Sequence, residues 1–171
     1  MSMDTRSTRS VWDVAAEVTD PEMPMLTLAD LGVLRTVEEH DDGSVVVTIT
    51  PTYAGCPALE AMRDDLREKL TESGHAHVEV RTTLSPPWTT DFITDEGRRK
   101  LAEAGVAPPA HIGPRPSGPV PLTLAPPPRR VDCPRCGSGD TEELSRFGPT
   151  ACTALRRCRA CSEPFEHMKD I

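Results

Sequence analysis

Apolar residues recur with two different spacings along the first hundred residues, and these spacings predict a series of short helices and strands. Spacings of three and four residues are typical of one helix face, whereas alternation or a β-branched run is typical of a strand. The predicted elements follow in chain order: helix 10–18, strand 33–40, strand 44–50, helix 57–73, strand 75–82 and helix 94–105.

Residues 44–50 and the helix after them carry the clearest patterns. The segment 44–50 reads SVVVTIT, and its β-branched side chains favour an extended backbone. The next helix has an apolar stripe formed by Leu59, Met62, Leu66 and Leu70. A hairpin followed by a helix, a strand and a helix predicts an α+β domain, with one small sheet and helices packed against it.

Proline marks the boundary between this domain and a second, smaller one. Nine of the 18 prolines lie between residues 106 and 128, a composition typical of a semi-extended linker. We therefore predict an α+β domain at 10–105, a proline-rich linker at 106–128 and a small cysteine-rich domain at 129–171.

Charge is unevenly distributed between the two halves. Residues 1–128 carry 11 Lys and Arg against 20 Asp and Glu, whereas residues 129–171 carry eight against seven. An acidic body is a poor partner for nucleic acid, while a weakly basic tail suits an acidic protein surface. No apolar run is long enough to span a bilayer, and the first ten residues lack the core of a secretory signal. We expect a soluble cytoplasmic protein without a membrane partner.

Two C-x-x-C pairs dominate the C-terminal part. Cys133 and Cys136 form the first pair, and Cys158 and Cys161 follow after 21 intervening residues. In the cytoplasm such pairs are more often metal ligands than disulfides, and this spacing predicts a tetrahedral structural Zn²⁺ site, with iron as the alternative. Gly137 helps the first turn to close. The larger apolar residues between the pairs are too few for a metal-free core: Leu144, Phe147 and Leu155.

The chemistry of the first domain is predicted to lie in the loop 51–58, with sequence PTYAGCPA. Pro57 suits the first position of a helix, which would make Cys56 the N-cap residue. The helix dipole would then favour the thiolate, lower the pKa of Cys56 and make it a better nucleophile or metal ligand. The alternative is a buried structural cysteine that happens to precede a helix.

Other side chains are weaker candidates. Cys152 would overfill a tetrahedral zinc site, so it is predicted to pack inside the ribbon. A nucleophile pair of Cys56 with His77 has no supporting spacing, and a surface histidine is the preferred interpretation. Trp88 is either a core aromatic or an exposed one. Carboxylates before the loop either ligate a metal near Cys56 or serve turns and caps. The supporting candidates are Asp20, Glu22, Asp30, Thr52 and Gly55.

The segments 20–32 and 51–58 together resemble the small iron–sulfur-assembly domain of SufT-type proteins. The segment 87–94 and the cysteine-rich tail narrow this resemblance. With them, nearly all of residues 10–171 except the linker is similar to the PaaD (PaaJ) family of phenylacetyl-CoA epoxidase subunits. Asp170 departs from the family pattern, in which a cysteine precedes the last residue.

The resemblance implies a role in a multicomponent bacterial oxygenase of aerobic phenylacetate degradation. The family's epoxidase has a di-iron oxygenase and a reductase with flavin and a [2Fe–2S] cluster, and these two components are the implied partners. The PaaD protein would not be an enzyme itself. It would be a maturation factor in which Cys56 carries or transfers iron or a cluster, while the zinc ribbon docks a partner. A stable structural or electron-transfer subunit is the alternative. A cluster on one cysteine would require outside ligands or a homodimer.

Overall fold

A computed structural model describes residues 9–53, 55–113 and 130–170, and these form two compact units. The first unit extends to Trp88 and the second begins at Thr89. Each unit is a mixture of short helices and a small sheet, so the α+β class is confirmed. Within the described residues, no helix is long and apolar enough to cross a membrane.

The first unit is built on a three-stranded sheet. Strands β1 (Leu34–Glu39) and β2 (Val45–Ile49) form the predicted antiparallel hairpin. Helix α2 (Leu59–Glu72) then returns the chain so that β3 (Val78–Thr82) pairs parallel to β2. Parallel neighbours require such a crossover, and a helix is its usual form. The predicted order of elements is therefore confirmed, with bounds that are one to three residues shorter.

The core of this unit lies between the sheet and its helices. Helix α2 buries Met62, Leu66 and Leu70 from its apolar stripe, whereas Leu59 is only partly buried. Helix α1 (Val11–Ala15) is shorter than the predicted 10–18, and it is capped by Ser10, which forms a reciprocal capping box with Asp13. Trp88 is a core aromatic, and its indole Nε1–H donates to the Leu31 carbonyl at 2.8 Å.

The second unit starts with a helix that the sequence pattern assigned to the first domain. Helix α3 (Asp95–Glu103) is capped by Thr94, whose hydroxyl accepts from Gly97 N–H at 3.0 Å. The next strand, β4 (Val106–Ala107), pairs parallel to a strand near the C-terminus. The unit boundary thus lies near residue 88 instead of 105. Residues 114–128 of the predicted linker lie outside the described part of the chain.

A four-stranded sheet completes the second unit. Strands β5 (Thr141–Ser145), β6 (Thr153–Cys158) and β7 (Pro164–Met168) are antiparallel neighbours, in the order β4-β7-β6-β5. A small apolar cluster covers one face and includes two of the C-x-x-C cysteines. Its members are Ala107, Val131, Cys133, Cys158 and Phe165.

Candidate functional site

The four cysteines of the two C-x-x-C pairs converge on one point. Their sulfur atoms all lie within 4.8 Å of one another. Two sulfur–sulfur distances cross between the pairs, 3.8 Å from Cys133 to Cys161 and 3.5 Å from Cys136 to Cys158. A disulfide bond would be about 2.05 Å long, so these are separate thiols. A tetrahedral metal with bonds of about 2.3 Å sets its sulfur ligands about 3.8 Å apart, and the four residues fit such a metal.

Both pairs are closed by the same backbone device. The residue after the second cysteine has a left-handed backbone conformation in each pair, with φ of 73° at Gly137 and 63° at Ser162. The first turn is also held by Gly137 N–H donating to the Cys133 carbonyl at 2.8 Å. The role predicted for Gly137 agrees with this geometry, while Ser162 is a strained counterpart that the sequence pattern does not reveal.

Backbone N–H groups point at the sulfurs and stabilise their ionised forms. The N–H of Cys161 hydrogen-bonds the sulfur of Cys158, and the pKa of Cys158 is lowered to about 7. Similar backbone bonds run from Ser138 to Cys136 and from Glu163 to Cys161, although burial and the neighbouring sulfurs raise the pKa of both thiols, to about 12 at Cys136. Thiolates are the form that binds metal, so the turns are built to hold a cation.

Cys152 stands apart from this group. It is buried just before strand β6, and its sulfur lies 3.1 Å from the Thr150 hydroxyl. Its backbone carbonyl accepts from Lys169 N–H at 2.9 Å. The four-sulfur group does not include it. This placement agrees with packing inside the ribbon.

Cys56 occupies a different kind of environment from the one its sequence predicts. Helix α2 begins at Leu59 with Ala58 as its N-cap, so the prediction that Cys56 is the N-cap residue is wrong. Pro57 has no N–H, and Leu59 N–H is already bonded to the Cys56 carbonyl at 3.2 Å. Among the backbone N–H groups of the described residues, that of Ala58 reaches the sulfur. The thiol therefore does not face a row of free donors.

The predicted lowering of the pKa of Cys56 is also wrong. Burial leaves the residue 8% exposed and raises the pKa of its thiol, and the negative charges of Glu22 and Asp20 raise it further. Hydrogen bonds from Ala58 N–H and the Tyr53 hydroxyl oppose this shift without reversing it. Cys56 is consequently a neutral thiol at neutral pH, beside two carboxylates.

The supporting candidates do not form a second ligand cluster. Asp20 Oδ1 accepts from the backbone N–H groups of Glu22 and Met23, both at 2.8 Å, and Asp30 Oδ2 accepts from Thr27 N–H at 3.0 Å. Both buried carboxylates thus serve turns, as the alternative interpretation has it. Among the described residues, three or more potential metal ligands come together at the four ribbon cysteines and not at these candidates.

The remaining loop residues shape access to Cys56. Gly55 is exposed with φ of 87°, a conformation that disfavours any side chain, and Thr52 is partly buried. The sequence pattern did not identify Tyr53, whose hydroxyl hydrogen-bonds the Cys56 sulfur. Its position three residues before Cys56 in the same loop could have indicated this contact. His77 is exposed on the approach to β3, and its backbone carbonyl accepts from Val45 N–H, as expected of a surface histidine.

Comparisons with known proteins match both parts of the chain. Residues 8–82 match the family described as iron–sulfur cluster assembly protein, and residues 117–169 match the PaaD zinc beta ribbon domain. A protein of Escherichia coli strain K12, provisionally named as a subunit of 1,2-phenylacetyl-CoA epoxidase, is 42% identical over 94% of this chain and 92% of its own length. The chain belongs to the PaaD family of epoxidase subunits.

Other relatives match about half of this PaaD-family chain. An Fe–S protein maturation auxiliary factor of Porphyromonas gingivalis is 35% identical over 49% of the chain and 80% of its own length. The maturation auxiliary factor SufT of Staphylococcus aureus is 33% identical over 45% and 88%. A solved DUF59 domain from Bacillus anthracis, 24% identical, covers 53% of the chain and 87% of its own with a TM-score of 0.50. That likeness concerns the fold.

Proposed function

We propose that this chain is a cytoplasmic maturation factor of the phenylacetyl-CoA epoxidase system in aerobic phenylacetate degradation. It would supply iron or an iron–sulfur cluster to the oxygenase or its reductase, without catalysing a reaction of its own. Membership of the PaaD family supports the accessory role, and the relatives of its first domain, named as Fe–S maturation factors, support the delivery of iron.

The observation that carries the proposal is the setting of Cys56. A soft sulfur lies beside the negative charges of Glu22 and Asp20, which favour the approach of a cation. Because the thiol is neutral, an arriving iron ion must displace its proton, and this competition weakens the bond at neutral pH. Weak binding suits a group that receives iron and then gives it up.

A single sulfur also limits what the first unit can hold. Common clusters take four cysteine ligands, whereas Cys56 is the cysteine that this unit offers. Any cluster held there would need further ligands from a second copy or from the protein that receives it. A ligand exchange with the recipient would then complete the transfer.

The ribbon plays the structural part in this proposal. Cys133, Cys136, Cys158 and Cys161 would hold Zn²⁺, which adds no redox chemistry and closes a small sheet with little core of its own. All four positions are used by protein sulfurs, which leaves no open ligand position for a reaction. Iron would fit the same four sulfurs, and metal analysis distinguishes the two.

A second candidate is a stable structural or electron-transfer subunit of the epoxidase complex. The relative in Escherichia coli carries the name of a subunit, which favours this candidate. Purification of the active complex separates the two candidates. A stoichiometric PaaD component required for turnover supports the second, whereas an active complex lacking it supports maturation.

The central test compares two buried cysteines that lie outside the four-sulfur group. Cells that assemble the epoxidase would carry Cys56→Ser or, as the matched control, Cys152→Ser. We expect Cys56→Ser to lower the iron content and activity of the purified epoxidase, while Cys152→Ser leaves both near the wild-type level. Fully metallated and active epoxidase with Cys56→Ser would refute the proposal.

A further inference from the structure

The tip of the β5–β6 hairpin carries an exposed apolar surface. Phe147 is 81% exposed and Leu144 is 48% exposed, so two of the few large apolar residues between the cysteine pairs face solvent. Arg146 and Lys169 accompany them, and we call these four residues the hairpin tip. Exposed aromatic side chains grouped with cations are enriched at protein interfaces.

The hairpin tip is ordered by its own backbone rather than left as a loose loop. The Ser145 hydroxyl accepts from Phe147 N–H at 3.1 Å and donates to the Phe147 carbonyl at 2.9 Å. Gly148 N–H donates to the Thr153 carbonyl at 3.0 Å, and a side chain at Gly148 would collide with the Thr153 hydroxyl. An apolar ring that is held in water by a fixed turn loses little entropy when it binds a partner.

Two cationic side chains accompany the exposed ring at the hairpin tip. Lys169 Nζ lies 5.6 Å from the centroid of the Phe147 ring, and the Arg146 side chain is 86% exposed. Residues 141–159 contain four arginines against two glutamates. Glu142 engages Arg157 and Arg159, and Glu143 lies 3.9 Å from Arg146 and 3.8 Å from Arg156. The positive charge at the hairpin tip is therefore that of Lys169 and of an exposed Arg146 that Glu143 partly balances.

We propose that the hairpin tip docks on an acidic protein surface that offers an apolar pocket to Phe147. This inference rests on the proposed function, because the surface would belong to the oxygenase or reductase that receives iron. Single-stranded nucleic acid is disfavoured as the occupant, since its binding sites present successive aromatic stacking surfaces and this tip has one. The first 88 residues also carry 16 Asp and Glu against seven Lys and Arg, which repels a polyanion.

The test measures binding of the full-length, zinc-loaded chain to purified oxygenase and purified reductase of the epoxidase. Phe147→Ser removes the exposed ring, and Leu84→Ser, which removes a 61% exposed leucine from the first unit, is the matched control. We expect Phe147→Ser to weaken binding about tenfold or more, as at a buried aromatic anchor. Leu84→Ser should bind like the wild type, and the wild-type affinity should fall with added salt. Zinc content per chain verifies that each variant keeps its ribbon.

Three results would overturn the docking proposal. The first is equal binding by the Phe147→Ser variant, or no binding by the wild type to either protein. The second is self-association that Phe147→Ser abolishes, which would make a second copy the occupant. The third is tighter binding of a single-stranded oligonucleotide than of either protein. None of these results decides the role of Cys56, which is tested separately. If Cys56→Ser lowers the iron content of the epoxidase while the variant still binds the partner, the two proposals are distinguished.

Discussion

The residue after each C-x-x-C pair offers a quantitative test of the ribbon geometry. Ser162 has φ of 63° where its counterpart in the first pair is Gly137 with φ of 73°. A left-handed backbone costs a residue with a side chain about 1–2 kcal/mol, and glycine removes this cost. Glycine also adds about 0.4–1 kcal/mol of unfolded-state freedom, so Ser162→Gly should stabilise the ribbon by about 0.5–1 kcal/mol.

The reciprocal change, Gly137→Ala, should destabilise the ribbon by a similar amount. No atom lies within 4 Å of the added Cβ, so the loss would reflect backbone strain rather than collision. Since metal binding and ribbon folding are linked, chelator competition should show zinc held about two- to fivefold more tightly by Ser162→Gly and more weakly by Gly137→Ala. Ala160→Gly, whose φ is not positive, is the control and should weaken zinc retention. Equal or faster zinc loss from Ser162→Gly would refute this account of the turns.

Four further predictions concern burial, charge, a buried hydrogen bond and the metal. Burial raises the pKa of Asp20 above its ordinary 3.8, so its ionised form lowers stability at all pH values above that raised pKa. Asp20→Asn keeps a side-chain oxygen that can accept hydrogen bonds, and it should melt at a higher temperature than wild type at pH 7. The difference in melting temperature should disappear near pH 4, and a difference that grows on acidification would contradict this. The same substitution should also speed alkylation of Cys56 at neutral pH, because one charge that raises the thiol pKa is lost. Trp88→Phe should cost about 1–3 kcal/mol in denaturant unfolding, because the Leu31 carbonyl loses its buried donor; an unchanged midpoint would show that water replaces the bond. Chelation of the ribbon metal should increase hydrogen exchange in β6 and β7, with Trp88 fluorescence unchanged as the control. Hydrogen exchange in β6 and β7 that does not change on chelation would show that the ribbon is stable without metal.

Local patterns predicted the elements well because those elements depend on near neighbours. The stripe of Met62, Leu66 and Leu70 on α2 repeats within one helix, and the β-branched run of β2 favours extension by itself. The four-cysteine site was predictable for a similar reason. Each C-x-x-C pair closes its own turn, so a single long-range contact between the two turns brings the four sulfurs together.

The failures arise where distant residues decide the outcome. The pKa of Cys56 depends on burial and on Asp20 and Glu22, which lie more than 30 residues earlier, so the loop alone suggested the opposite shift. Strand β4 pairs with β7, about 60 residues later, and no property of Val106–Ala107 indicates that partner. The exposure of Phe147 was not predicted, because composition does not reveal which side of a hairpin an aromatic occupies.

The two kinds of cysteine in this chain differ in how many sulfurs share one site, and under the proposed function this difference bears on delivery. In the ribbon, four sulfurs lie within 4.8 Å of one another and would share one cation, so release would require several bonds to break together. At Cys56, burial and the charges of Glu22 and Asp20 raise the pKa of a single thiol, so a proton would replace a departing metal. One bond and a returning proton would make release easier at Cys56 than at the ribbon. A maturation factor built on this arrangement would lose iron to a recipient while its own structural metal stayed in place.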